Sequence, residues 1–347
     1  MKAEPFGTTR DGHPVARHRL RSARGTEAVF IDYGATLTEL HVDGVDVVLG
    51  FDDLAGYEAE RTWFGCVVGR VANRIAGASF EVDGQRFEVE ANQDGHHLHG
   101  GSQGLSTRVW SASPAAGGDE SAIRFSCVSE DGEGGYPGRA EVEVTYHLTD
   151  DDRLRIEYAA SVDRPTPVNL THHAYFNLAG SGDVLGHELE IAASHIVEVD
   201  AELIPTGRLP EVAGTPYEFR EAKPVGGDLE RLEGGGYDVS FVLEGFDEIG
   251  VAGSDMPMPL RHAATLVDPA SGRCMRVATT EPCMQLYTGQ YLDGRGGKRG
   301  AAYPGFSGLC LEAQHPPDAL HQPGFPSIVC RPGAPYRQIT EYAFETR

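Results

Sequence analysis

The chain reads as an all-β protein, a large antiparallel β-sandwich, on three observations. Short runs that alternate apolar and polar residues recur along most of its length. Turn formers punctuate those runs: the chain has 44 glycines and 21 prolines, with no repeating period. No long stretch carries the 3.6-residue period of an amphipathic helix, so there are no crossover helices to join parallel strands.

The elements follow in order. Ala28–Tyr33 is a strand. Glu39 to Leu49 is a hairpin turned at Asp43-Gly44, because glycine accepts the positive φ that a tight turn needs. A short helical turn is expected near Asp52–Ala59. A second hairpin, Ala78 to Val89, turns at Asp83-Gly84. Ile123–Val128 is a strand. Ala140–Leu148 and Arg153–Val162 pair across the polar stretch Thr149–Asp152, and a helical turn is possible at Asp228–Leu232. Val239–Leu243 precedes another pair, Ala263–Val267 and Arg273–Thr279, bridged by Asp268–Gly272. Met284–Thr288, Gly308–Ala313 and Tyr336–Phe344 complete the set. The glycine-rich spots Gly117-Gly118, Gly234–Gly236 and Gly294–Gly297 are expected to be loops. With no repeat and no low-complexity linker, residues 1–347 read as one domain.

Composition narrows the function. A formal charge of −23 repels phosphate backbones and anionic lipid, which argues against nucleic-acid and membrane partners. No apolar run approaches the roughly 18 residues that span a bilayer, and residues 1–24 lack the apolar core of a signal peptide. The six cysteines (66, 127, 274, 283, 310 and 330) have no CxxC spacing and fit free buried thiols in a reducing compartment, hence a cytoplasmic protein.

Four segments stand out chemically: Gly69-Arg-Val-Ala-Asn-Arg-Ile-Ala-Gly77, His96-His-Leu-His-Gly-Gly101, Pro167-Val-Asn-Leu-Thr-His-His-Ala-Tyr-Phe-Asn-Leu-Ala-Gly180 and Cys310-Leu-Glu-Ala-Gln-His-Pro-Pro-Asp-Ala319. Glu312 directly follows an apolar strand, at its mouth. Desolvation there would raise its pKa and make it a better base. An ordinary ion-paired strand end is the other reading of its spacing. His172 and His173 interrupt an apolar strand and should point to opposite faces. Either could be a near-neutral acid or a hydrogen-bonded core residue. In the His96–His99 cluster, His97 and His99 are expected on one strand face. The cluster is similar to a cupin metal pattern, but Gln103 stands where a carboxylate belongs. The Pro-Pro stop keeps Glu312 and His315 off a long ligand helix. No metal and no cofactor are expected. Walker, Gly-x-Ser-x-Gly and dinucleotide-binding motifs are absent, which leaves acid–base chemistry.

Taken together, Gly69–Ile75, Leu98–Gly101, Pro167–Leu178, Gln285–Gly289 and Leu311–Ala319 resemble, in order, the patterns of the aldose 1-epimerase (galactose mutarotase) family. Gln322–Pro326 and Arg331–Gly333 fit as well. The resemblance implies a galactose mutarotase-like supersandwich that interconverts the α and β anomers of a free hexose such as galactose or glucose. It implies Glu312 as the general base at the C1 hydroxyl and His173 as the general acid at the ring oxygen. It implies Asn73, Arg74, His99, Tyr175, Asp238 and Gln285 as substrate contacts. The partner would be a small aldose, and the chain a monomer or weak homodimer. The alternative is a non-catalytic sugar-binding or regulatory protein on the same fold. His172 stands where the family usually has Asn, and Ala174 where Ser is common. The preferred aldose stays open.

Overall fold

Burial that alternates residue by residue lays out the larger sheet. In Ala140–Leu148 the residues Val142, Val144, Tyr146 and Leu148 are buried and their neighbours are not. Arg153–Val162 repeats the pattern with Leu154, Ile156 and Tyr158. One face of each strand therefore enters the core and the other meets water. The computed structural model describes residues 3–59, 62–115, 121–245 and 259–347, without the side chain of Arg295. Among these residues, nine strands form one sheet in the order Ser111–Pro114, Ala122–Ser129, Ala140–Leu148, Arg153–Val162, Tyr336–Thr346, Arg273–Thr279, Arg261–Val267, Glu188–Ile191, Lys223–Pro224. Every ladder in it is antiparallel.

A second sheet runs Tyr175–Phe176, Leu309–Gln314, Cys283–Tyr287, Asp238–Leu243, Ala193–Ile196. All six residues of Leu309–Gln314 are buried, so this strand is covered on both faces. One face, with Leu311, Ala313, Met284, Leu286 and Phe241, joins a single apolar core with Val142, Val144, Ile156 and Met275 of the nine-stranded sheet. The fold is therefore an all-β sandwich. The opposite face of the second sheet carries polar side chains. A third sheet, Glu4–Thr8 to Val45–Asp46, adds Phe30, Leu37 and Leu40 to the core, with the Phe30 ring 4.4 Å from that of Tyr146.

The expected hairpins are present. Asp43-Gly44 and Asp83-Gly84 turn with positive φ at both residues (49° and 75°, 52° and 78°). The first hairpin is shorter than its alternation suggests, because its second strand is only Val45–Asp46. Beyond it, Leu49 donates to the Tyr175 carbonyl and Val48 bridges to Phe176, so the chain leaves the hairpin for the second sheet. The helical turns appear as Leu54–Ala59 and a 3-10 turn at Val225–Arg231. The glycine run Gly294–Gly297 is not simply a loop, since Asp293–Gly296 pairs irregularly with Ala302–Pro304. Gly117-Gly118 lies outside the described residues. No helix among those described is long and apolar enough to cross a membrane.

Candidate active site

The site grows from the polar face of the second sheet. Glu312 lies within Leu309–Gln314 rather than beyond its end, which corrects the placement expected from its apolar lead-in. It is 2% exposed. Cross-strand register sets Gln285 directly opposite Glu312, and Ser240 opposite Gln285. Since side chains alternate along a strand, these three form one polar row on a common face. Asp238 stands two residues before Ser240 on that face, and its Oδ1 accepts the Gln285 amide at 2.7 Å.

Facing this row is the segment that carries the two histidines. Thr171–His172 pairs with Val67–Val68. His172 turns into the core against Tyr146, ring centroids 5.8 Å apart, and neither ring nitrogen has a hydrogen-bond partner among the described residues. His173 takes the other face, as alternation requires. Its main chain is stitched to the Trp63–Cys66 turn by His173 N–H to Cys66 O (3.0 Å) and Gly65 N–H to His173 O (2.9 Å). Its Nε2 lies 3.7 Å from Glu312 Oε1 and its Nδ1 3.4 Å from Cys310 Sγ. The ring is held between Tyr175 (5.1 Å, near-parallel) and Trp63 (6.0 Å, near-parallel), with His99 edge-on at 5.3 Å.

The two remaining motifs meet through a short ladder, Arg74–Ile75 with His97–Leu98. The strand ends at Leu98, and His99 (φ 53°) and Gly100 (φ 84°) turn the chain. The three histidines of that cluster therefore part company, and His97 and His99 do not share a strand face. His97 binds the Glu90 carbonyl and the Tyr136 hydroxyl. His96 Nδ1 accepts the Gly77 N–H. His99 enters the site, where its Nδ1 accepts the Asn73 N–H at 3.2 Å. A neutral imidazole that accepts at Nδ1 carries its proton on Nε2, so His99 is a donor there rather than a metal ligand. Asn73 itself has positive φ (60°), and its Oδ1 accepts the Arg74 N–H at 2.9 Å.

All eight residues expected in the site are brought to this region: Glu312, His173, Asn73, Arg74, His99, Tyr175 and Gln285 are less than 10% exposed, and Asp238, half-buried, is bonded to Gln285. Tyr175 contributes a wall beneath the His173 ring. Three further residues escaped the sequence reading. Trp63 covers both His99 (4.7 Å) and His173. Cys310 meets Nδ1 of His173. Asp318 clamps the Arg74 turn: its N–H donates to the Arg74 carbonyl (3.1 Å), and its Oδ1 accepts the Ala76 N–H (2.9 Å). Only Asp318 had a signal, a lone acid just past the Pro-Pro stop. The other arginine of that motif, Arg70, is structural. Its guanidinium is spent on the carbonyls of Ser129, Glu130 and Pro137 and the hydroxyls of Ser129 and Thr166.

Burial sets the charges. It drives the Glu312 carboxyl well above its ordinary range, with the nearby Asp238 adding and Arg74 opposing. It raises Asp238, against Arg74 and Gln285. It lowers His173 to about 4, opposed by a hydrogen bond to its own backbone, and holds His99 well below the usual imidazole value, helped by the neighbouring His173 and Arg74. The region thus favours a protonated carboxyl beside a neutral imidazole. Glu312 Oε2, Gln285 Oε1, Ser240 Oγ and both amide atoms of Gln314 are buried with no hydrogen-bond partner among the described residues. Buried polar atoms without partners are costly, and a cluster of them suits a hydroxyl-rich ligand. Trp63 also lines a groove of about 1260 Å³, together with Tyr33, Phe51, Ser102, Gln103 and Arg108; neither Glu312 nor His173 lines it.

Comparison with known proteins bears on this arrangement. The sequence profile of the family described as aldose 1-epimerase matches residues 17–343. The galactose mutarotase of Rattus norvegicus is 42% identical over 341 residues, covering 96% of this chain and 95% of its own. The aldose 1-epimerase of Escherichia coli K12 is 34% identical over 346 residues, covering 96% of each. The crystal structure of an aldose epimerase homologue from C. elegans superimposes with a TM-score of 0.85 at 32% identity, covering 96% of this chain and 99% of that one.

Proposed function

The chain belongs to the aldose 1-epimerase family, and from that premise we propose how its site interconverts the α and β anomers of hexoses. The observation that carries the reading is the gap between the pair. His173 Nε2 and Glu312 Oε1 are 3.7 Å apart, too far for a direct hydrogen bond and close enough for both to reach the two oxygens on one anomeric carbon.

In ring opening, the proton on the C1 hydroxyl passes to the Glu312 carboxylate. Its electrons form the C1 carbonyl, the bond from C1 to the ring oxygen breaks, and the ring oxygen takes the proton from His173 Nε2. Rotation about C1–C2 presents the other face of the aldehyde. Closure runs the transfers backwards: Glu312 returns a proton to the carbonyl oxygen and His173 recovers one from the chain hydroxyl. The cycle consumes nothing and needs no redox centre.

The proton count of the pair is constant throughout. A carboxylate with an imidazolium starts the reaction; a carboxylic acid with a neutral imidazole belongs to the ring-opened sugar. Burial favours the second arrangement. In the sugar-free site the carboxylate–imidazolium pair is therefore the minority arrangement, reached by moving one proton from Glu312 to His173. Arg74, which pulls Glu312 the other way, moderates that bias so that the carboxylate is available when sugar binds.

The remaining groups hold the sugar. Arg74 and the Nε2–H of His99 donate to hydroxyls; Asp238 and Gln285 Oε1 accept from them. Asn73 shapes the turn that presents Arg74, and Tyr175 backs the His173 ring. Each positioned acid or base contributes roughly 10²–10⁴-fold to rate. Galactose and glucose are the proposed substrates, and the whole chain is read as one domain working as a monomer or weak homodimer. Its six free cysteines support a reducing, cytoplasmic setting. Polarimetry of freshly dissolved α-galactose, glucose, arabinose, xylose and glucose 6-phosphate tests the reading. Faster mutarotation of at least one hexose is expected. No acceleration of any of them overturns it.

A further inference from the structure

The mechanism above makes a demand on His173 that neither Glu312 nor the sugar can meet. Nε2 must give a proton at ring opening and be bare to take one back at closure. A neutral imidazole carries one proton, so in the ring-opened state that proton has to sit on Nδ1. Besides the residue's own backbone, the group that meets Nδ1 is Cys310, with Sγ 3.4 Å away and both residues buried. The strand explains the placement. Cys310 is two residues before Glu312 on Leu309–Gln314, so both side chains leave the same face and one strand presents a group to each end of the imidazole. Cys310 packs with Tyr175, the residue that stacks beneath His173, and pairs with it across the ladder.

We propose that Cys310 is a positioning residue: its sulfur accepts the Nδ1–H of His173 and so keeps Nε2 as the nitrogen that exchanges a proton with the sugar. This rests on the acid role given to His173 above. Burial keeps the thiol protonated, so Cys310 is neither nucleophile nor base here. The choice of sulfur has a chemical consequence. A carboxylate at Nδ1 would fix the tautomer too, but it would stabilise the imidazolium and make His173 a poorer acid. A thiol sulfur is a weak acceptor. It orients the ring and selects the tautomer while leaving the imidazolium ready to release its proton.

The test uses the full chain labelled with ¹⁵N-histidine, at pH 7 and without sugar, with the His173 signals assigned by their loss in His173→Asn. The native protein is expected to show a protonated Nδ1 and a bare Nε2. Cys310→Ala should mix the tautomers and lower kcat on the order of 10-fold while KM stays within about 2-fold, because only the competent fraction of an otherwise intact site is reduced. Cys310→Ser, which restores an acceptor, should recover the native tautomer and most of the rate. A native His173 that carries its proton on Nε2 overturns the proposal. So does a Cys310→Ala protein with native tautomer and native kcat. If the native chain accelerates no anomerisation, the functional reading fails, while the spectrum, read without sugar, still decides the contact.

Discussion

His172 offers a quantitative test of how this core treats charge. The ring sits edge-on to Tyr146, with neither nitrogen hydrogen-bonded among the described residues, and burial lowers its pKa from 6.5 to about 3. The folded state therefore holds the neutral ring while the unfolded chain takes up a proton near pH 6.5. A group depressed in this way contributes stability that is present above its unfolded value and is lost as pH falls towards its folded value. At 1.36 kcal/mol per pKa unit, the contribution lost between pH 8 and pH 5 is about 2 kcal/mol. Replacing His172 with Phe keeps a ring against Tyr146 and removes the titration. His173, Glu312 and His99 titrate in both proteins, so the difference between native and His172→Phe isolates position 172. Urea unfolding at pH 5, 6, 7 and 8, with m-values to confirm an unchanged transition, measures that difference. His172→Phe should gain about 2 kcal/mol on the native protein on going from pH 8 to pH 5. A difference that stays flat across this range refutes the claim that His172 is buried neutral.

Glu312 predicts the opposite slope. Its folded value is raised, so its contribution is present below about pH 4.5 and is lost as pH rises towards the folded value; Glu312→Gln should therefore resist unfolding at pH 8 to 9 better than the native protein, relative to pH 5, by differential scanning fluorimetry. Trp63 packs on both His99 and His173, whereas the other tryptophan, Trp110, is buried and donates to the Leu105 carbonyl. Sugar binding should change tryptophan emission in the native protein and leave Trp63→Phe unchanged in a titration. Asp318 holds both sides of the Arg74 turn, and Asp318→Ala leaves the Ala76 N–H unpartnered, a loss of about 1–3 kcal/mol; a raised KM with a smaller change in kcat is expected from steady-state polarimetry.

Much of this architecture is readable from alternation alone. The pair Ala140–Leu148 and Arg153–Val162 appears with the bounds its pattern gives, because one face is wet and the other dry. Alternation also separates His172 from His173, since two neighbours on a strand cannot share a face. It fails where both faces are buried. Leu309–Gln314 shows no period, so Glu312 looks like a residue beyond a strand when it lies inside one. It fails again at His99, where positive φ turns the chain and removes the expected partnership with His97. Trp63 and Cys310 left no signal, because an aromatic or a cysteine in an apolar run reads as core. Their contacts come from segments more than 100 residues away in sequence, the Trp63 turn and the Leu309–Gln314 strand both meeting His173. The resemblance of ordered motifs, rather than spacing, singled out His173 and assigned the pair its two oxygens.

The central claim is that Glu312 and His173 move the two protons. Polarimetry on a freshly dissolved α-hexose, with Glu312→Gln and His173→Asn shown to be folded by unfolding midpoint, tests it most directly. Each variant should lose roughly 10²–10⁴-fold in kcat, which is about 3–5 kcal/mol of barrier. A folded Glu312→Gln or His173→Asn protein that anomerises the sugar at the native rate contradicts the account.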